Sequence, residues 1–149
     1  MLVIPHLILR KDDKILLTRR STPNKIWAGH WHCVTGSIEV GETPLEAIIR
    51  EAKEEVGVVL SAAKLAATIS INEKDYFDPS KRFYSVELFF LADLPEGQEP
   101  INAEPLKQDA MDWFDPSSLP PPMIPGVKFG LESYFNHLNY AEFRSDYDK

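Results

Sequence analysis

At 149 residues, 44% hydrophobic and 26% charged, the chain has the make-up of one soluble globular domain, 1–149, with a proper core. A formal net charge of -7 argues against a nucleic-acid polymer as partner, though not against a small phosphorylated ligand, because a bound cation reverses the local field. The single cysteine, Cys33, allows no internal disulfide, and the start MLVIPHLILRKDD is too short and too charged for a signal or membrane helix, so a cytoplasmic protein away from membranes is expected.

Leu2 to Leu9 is apolar and β-branched enough for a strand. Lys11-Asp12-Asp13 reads as a turn and Lys14 to Thr18 as the second strand of a hairpin. Arg19-Arg20 follows, either a clamp for phosphate oxygens or a solvated pair. Ser21 to His30 is turn-rich and reads as a loop flanked by Trp27 and Trp31. Trp31 reads as core and Trp27 stays open, since an exposed ring beside a loop can stack on a base. His32 to Val34 reads as a short strand. His30 and His32 have no partners at metal-ligand spacing and read as ordinary loop or strand-edge residues, and Cys33 as a packed apolar group.

Gly36 to Val58, GSIEVGETPLEAIIREAKEEVGV, predicts a helix from Pro44 to Val56. Thr43 and Glu46 form a capping box, Pro44 suits the first helical position, and Gly57 suits a left-handed stop. At about 100° per residue, Leu45, Ile48, Ile49, Ala52 and Val56 form one stripe for the core. Glu51, Glu54 and Glu55 fall on a neighbouring sector. Like charges at that spacing repel, and fold stability does not ask for them. A hard divalent cation, Mg2+ or Mn2+, does.

The full spacing is Gly36, five residues, Glu42, seven residues, then Arg50-Glu51-Ala52-x-Glu54-Glu55-x-Gly57-Val58. It resembles the Nudix box, G-x5-E-x7-R-E-U-x-E-E-x-G-U with U aliphatic, at every defined position. The resemblance implies an α/β fold, a Nudix-type α/β/α sandwich with a mixed sheet, of the small single-domain type. It implies that Arg50 orients the acids and that Glu51, Glu54 and Glu55 ligate metal, Glu51 serving instead as general base in some branches. Glu42 braces the loop–helix junction. Thr35 stands where the family's P-G-G has its first glycine. The metal-binding role there belongs to the backbone carbonyl, which any side chain allows. Val34-Thr35-Gly36-Ser37 is also similar to the branch that hydrolyses dihydroneopterin triphosphate.

Past the box, Lys64 to Ile71 reads as a strand, Asn72 to Arg82 as a polar loop, and Phe83 to Ala92 as a central strand. Asp93 to Gln108 reads as a long loop. The resemblance implies a further metal-binding carboxylate from this loop: Glu104, with Asp109 behind it. Ala110 to Phe114 reads as a strand, Asp115 to Leu119 as a turn of helix, and Pro120 to Pro125 as a stiff spacer. Val127 to Leu138 reads as a helix covering the sheet opposite the first. The tail Asn139 to Lys149 either packs or frays. This order of elements places helices on both faces of a mixed sheet.

The function implied by the resemblance is a divalent-metal-dependent pyrophosphohydrolase. Its substrate is a nucleoside diphosphate linked to another group, with a nucleoside triphosphate foremost. The alternative is a non-catalytic ligand-binding or sensor protein of the same fold. The expected partners are a small phosphorylated substrate and, at most, a second copy in a homodimer.

Overall fold

The computed structural model describes residues 1–145; the last four of the expected tail lie outside the described residues. In chain order the elements are β1 (Leu2–Lys11), β2 (Lys14–Arg20), β3 (Trp31–His32), β4 (Val34–Thr35), α1 (Pro44–Val56), β5 (Lys64–Lys74), β6 (Arg82–Asp93), β7 (Gln108–Phe114), α2 (Pro125–Phe135) and β8 (Tyr140–Arg144). The strands form a mixed sheet in the order β3-β2-β1-β6-β5-β8, with β4 also on β1 and β7 also on β2.

Period-two alternation sorts the strand residues between two faces. Leu7, Leu9, Leu16, Val34 and Phe90 cluster with Ile48, Ala52 and Val56 of α1. Ile8, Ile15, Leu17, Ile69 and Phe89 cluster with Val127 and Leu131 of α2. The helices therefore cover opposite faces, and the chain is the expected α/β/α sandwich. In α1 the capping box is complete: Glu46 N–H donates to Thr43 Oγ1 at 3.1 Å, and Thr43 N–H to Glu46 Oε1 at 3.3 Å. Gly57 ends the helix at φ 68°.

The strand expected at His32 to Val34 is two strands. β3 pairs with β2 and β4 with β1, and the break falls at Cys33. The cause lies in the first hairpin. β1 and β2 pair at Arg10↔Ile15 and Lys11↔Lys14 and then part, so a single strand cannot follow both. β1 continues in parallel with β6, from Leu2↔Ser85 to Arg10↔Asp93. Cys33 fills the gap, buried, its thiol pushed up to about 12 by desolvation.

Other boundaries also move. β5 and β6 extend into the loop expected at Asn72 to Arg82, pairing as far as Lys74↔Arg82. The helical turn expected at Asp115 is a side-chain turn, in which Asp115 Oδ1 accepts from both the N–H and the hydroxyl of Ser117. α2 begins at Pro125 and ends at Phe135, earlier than expected at both ends. The tail adds β8, parallel to β5 from Thr68↔Tyr140 to Asn72↔Arg144.

Gly130 lies inside α2, where a glycine weakens a helix. Packing explains it: a Cβ at Gly130 would fall on the Phe89 ring. Gly130→Val should therefore lower stability by about 1–3 kcal/mol in urea unfolding through overpacking. An unchanged unfolding midpoint would show that α2 does not depend on this close approach.

Candidate active site

With its apolar stripe turned to the sheet, α1 places Glu51 and Glu55 at its flank, against the turn that leaves β4. The Thr35 N–H donates to Glu55 Oε2 at 3.3 Å. The Glu51 carboxyl lies against Gly36, where any Cβ would collide with it. A side chain at the box glycine would therefore displace the Glu51 carboxyl from its place. Thr35 itself is anchored through its hydroxyl, which donates to Pro5 O at 2.8 Å.

Arg50 binds on all sides. Its Nε donates to Glu42 Oε2 at 2.8 Å and its Nη2 to Glu42 Oε1 at 3.0 Å. Its Nη1 donates to Glu51 Oε1 at 2.7 Å and Glu54 Oε2 at 3.1 Å. Nη2 also reaches Ser37 O at 2.9 Å, and Glu39 stands 3.7 Å from Nη1. Glu42 in turn accepts the Glu39 N–H at 2.9 Å. This guanidinium therefore ties the β4–α1 turn to the helix and fixes two of the acids.

Of the remaining acids, Glu104 pairs with Lys107 at 3.4 Å, and Glu55 has no such partner among the described residues. Burial pushes Glu55 up to about 9, and the charges of Glu51 and Glu104 add to the shift; the Thr35 N–H and Lys107 oppose it. Burial also raises Glu51, against the pull of Arg50. Glu104 acts on both acids, so the expected loop does bring its carboxylate to the helix. Asp109 is committed elsewhere, to Arg19 at 2.7 Å.

As they stand, no three acid, histidine or cysteine side chains among the described residues converge tightly enough to hold an ion. Arg50 accounts for this, because it draws Glu51 and Glu54 toward itself. The donor set nevertheless suits a hard divalent cation: carboxylate oxygens from Glu51, Glu55 and Glu104 repel one another in a half-buried place.

The arginine pair divides. Arg19 packs over the Trp31 ring at 5.6 Å and pairs with Asp109, away from the acids. Arg20 lies within electrostatic reach of Glu55. Its Nε donates to Ile26 O at 2.9 Å and its Nη2 to Asn24 Oδ1 at 3.1 Å. The phosphate-clamp reading of the pair thus falls to Arg20.

Two residues in the site's support carry no local sequence signal. Gln108 Nε2 donates to Glu55 O at 2.9 Å and to Asn102 Oδ1 at 3.1 Å, and the Ala103 N–H also reaches Glu55 O, at 3.0 Å. Asn102 Oδ1 accepts the Glu104 N–H at 3.2 Å. Together these bonds strap the Glu104 loop to the end of α1.

A family model for the NUDIX domain matches residues 2–133. The chain belongs to the Nudix family. Among similar Nudix proteins is an ADP-ribose pyrophosphatase from Methanocaldococcus jannaschii, 32% identical over 113 residues, which are 76% of this chain and 61% of that protein. The uncharacterized Nudix hydrolase YvcI of Bacillus subtilis is 28% identical over 126 residues, 83% of this chain and 72% of that one. The crystal structure of a MutT Nudix hydrolase from Burkholderia pseudomallei superposes with a TM-score of 0.72 at 27% identity, covering 88% of this chain and 95% of the other. Among the described residues, no helix of this Nudix chain is long and apolar enough to cross a membrane.

His32, read from sequence as a strand-edge residue, is buried beside Arg20 and held down to about 3, first by desolvation and then by Arg20 and His6. The folded state thus takes up this proton far below the ordinary value of 6.5, and stability contributed by neutral His32 falls as pH drops below 6.5. Between pH 7 and pH 5 the loss is about 2 kcal/mol. Urea unfolding at the two pH values should show His32→Gln losing about that much less than the parent chain. Equal losses would contradict a buried neutral His32.

Proposed function

We propose that this chain is a divalent-metal-dependent pyrophosphohydrolase that cleaves a nucleoside diphosphate linked to another group, with a nucleoside triphosphate foremost, and that residues 1–149 form its single domain. One observation carries the reading: Glu51, Glu55 and Glu104 gather from a helix and a distant loop into mutual repulsion, and the buried one, Glu55, has no ion-pair partner among the described residues. Two similar proteins, an ADP-ribose pyrophosphatase and an NAD-capped RNA hydrolase, are named for substrates with a nucleoside diphosphate core, which supports this reading; isopentenyl-diphosphate Delta-isomerases are similar over only 36% of this chain.

Glu51, Glu54, Glu55, Glu104 and the Thr35 carbonyl would hold Mg2+ or Mn2+, which when bound screens phosphate charge and acidifies a water. Arg50 orients Glu51 and Glu54 through Nη1 and keeps the turn beneath them closed. Where Glu51 does not ligate the metal it would instead take a proton from the attacking water, and its bond to Arg50 and its burial support that alternative. Arg20, close to Glu55, supplies positive charge for the phosphate chain.

A phosphate-release screen with Mg2+ and Mn2+ tests this over nucleoside triphosphates, nucleotide sugars, ADP-ribose, dinucleoside polyphosphates and pterin triphosphates. Turnover of at least one compound is expected, none without metal. Tight binding with no turnover anywhere would favour the sensor alternative. Glu54→Gln should cut turnover about 100-fold or more with the unfolding midpoint kept, because Glu54 faces solvent and Arg50, not the core. Near-normal turnover of that variant would remove Glu54 from the site.

A further inference from the structure

A second feature of the molecule is not used by the acid site. Between the loop after β2 and the β5–β6 hairpin lies a cavity of about 540 Å3, walled by Ile26, Trp27, Tyr76, Phe77 and Phe83, with Glu73 also lining it. Its walls are rings. Trp27 and Tyr76 meet at 5.7 Å across the two loops, and Tyr76 and Phe77 at 5.4 Å. Tyr76 and Phe77 are exposed, and Trp27 is held at φ 55°, a conformation that bulky residues rarely adopt.

The sheet beneath changes character at this end. On the face that α2 covers, β5 and β6 present Ile69, Ile71 and Phe89. By alternation the same face continues with Glu73 on β5, with Phe83, Ser85 and Glu87 on β6, and with His6 on β1. Apart from Phe83, these side chains are polar where the core would be apolar. Ser85, Glu87 and His6 are 2%, 7% and 3% exposed. Ser85 Oγ, Glu87 Oε2 and His6 Nδ1 have no hydrogen-bond partner, although His6 Nε2 and Glu87 Oε1 meet at 3.3 Å. Buried polar atoms left unpaired are costly, and these lie behind the cavity wall on the sheet face that Glu73 shares, with Glu73 the one of these polar side chains that lines the cavity.

The cavity also connects to the acids. Ile26 in its wall accepts the Arg20 Nε bond, and Arg20 lies within reach of Glu55. Along the sheet, His6 is paired with Thr35, whose N–H holds Glu55. From β5 to β4 is three strand spacings, about 14 Å across, and Glu73 lies six residues beyond the level of Thr35, about 20 Å along the strands, so the two ends are about 25 Å apart, a span for an extended ligand together with the side chains that reach it. A ligand with a flat ring in the cavity and phosphates at Glu51 and Glu55 would pass Arg20 on the way.

We infer that this aromatic slot receives the heterocycle of the substrate and that Glu73 reads a 2-amino-4-oxopyrimidine edge, the one shared by guanine and the pterins. The inference rests on the pyrophosphohydrolase reading of the acid site and names the substrate class for it. Stacking between rings accepts any base, so discrimination must come from the polar floor. A carboxylate offers two acceptors side by side, and the ring N–H with the 2-amino group offers two donors in register. Adenine presents one donor and one acceptor on the matching edge, and hypoxanthine lacks the amino group.

The test compares kcat/KM for GTP, ITP, ATP and 7,8-dihydroneopterin triphosphate in the parent chain, Glu73→Gln and Trp27→Ala. The parent should favour GTP or the pterin compound over ITP and ATP by about 10- to 100-fold, and which of the two leads separates guanine from pterin. Glu73→Gln should collapse that ratio through KM while kcat for the best substrate holds. Trp27→Ala should raise KM about tenfold or more for every base. Equal kcat/KM for GTP, ITP and ATP in the parent, or an unchanged ratio in Glu73→Gln, would overturn the inference and leave the hydrolase reading intact. Should none of these four be cleaved while another compound of the wider phosphate-release screen is, the inference fails and the hydrolase reading stands; should nothing in that screen be cleaved, the hydrolase reading fails instead. The slot is then judged by binding: GDP, and not ADP, should quench tryptophan fluorescence in the parent but not in Trp27→Phe, and equal quenching by both would reject it.

Discussion

Glu55 sets the terms for the rest of the structure. Its carboxylate is buried at the flank of α1, held by one backbone N–H and pressed by two further acids. Such a group is a standing cost to the fold, since desolvation and like charge both oppose its ionised form. No cation of the chain forms an ion pair with it among the described residues. Lys107 and Arg20 act on it only through their charge, Arg50 is turned to Glu42, Glu51 and Glu54, and Arg20 gives one of its bonds to Ile26. Local rules of stability are broken here and kept elsewhere, the pattern expected where a ligand completes the site.

The sheet makes this arrangement available. Because β1 and β2 part after their first pairs, the following segment splits into β3 and β4. The split ends β4 at Thr35, directly above Glu55, and sends Gly36 against Glu51. The opposite rim is closed by the Asn102–Gln108 segment, whose bonds to the Glu55 carbonyl hold Glu104 in place. Three separate segments thus converge on one turn of α1. A single helix with the same charges would expose them to water.

The helix was readable in the sequence because its signals are local. Thr43, Pro44, Glu46 and Gly57 act within one or two turns, and the acid spacing follows from helical geometry. The two-faced core was readable from alternation in the strands. What escaped depends on distant pairing. Nothing near Cys33 announces a broken strand, since the break reflects the divergence of β1 from β2. The tail's undecided residues become β8 because the edge of β5 was open to them. His32 resembled an edge residue until the packing around Arg20 buried it. Gln108 and Asn102 matter through partners many residues away, beyond any local pattern.

The account's central claim is that these acids wait for a divalent cation. Electron paramagnetic resonance of Mn2+ at neutral pH tests it most directly, because it reads free ion and needs no substrate. Titration of the intact chain should remove the free-ion signal in proportion to protein, and Glu55→Gln should restore most of it. A signal that stays at the protein-free level, or a variant that binds as well as the parent, would contradict the claim.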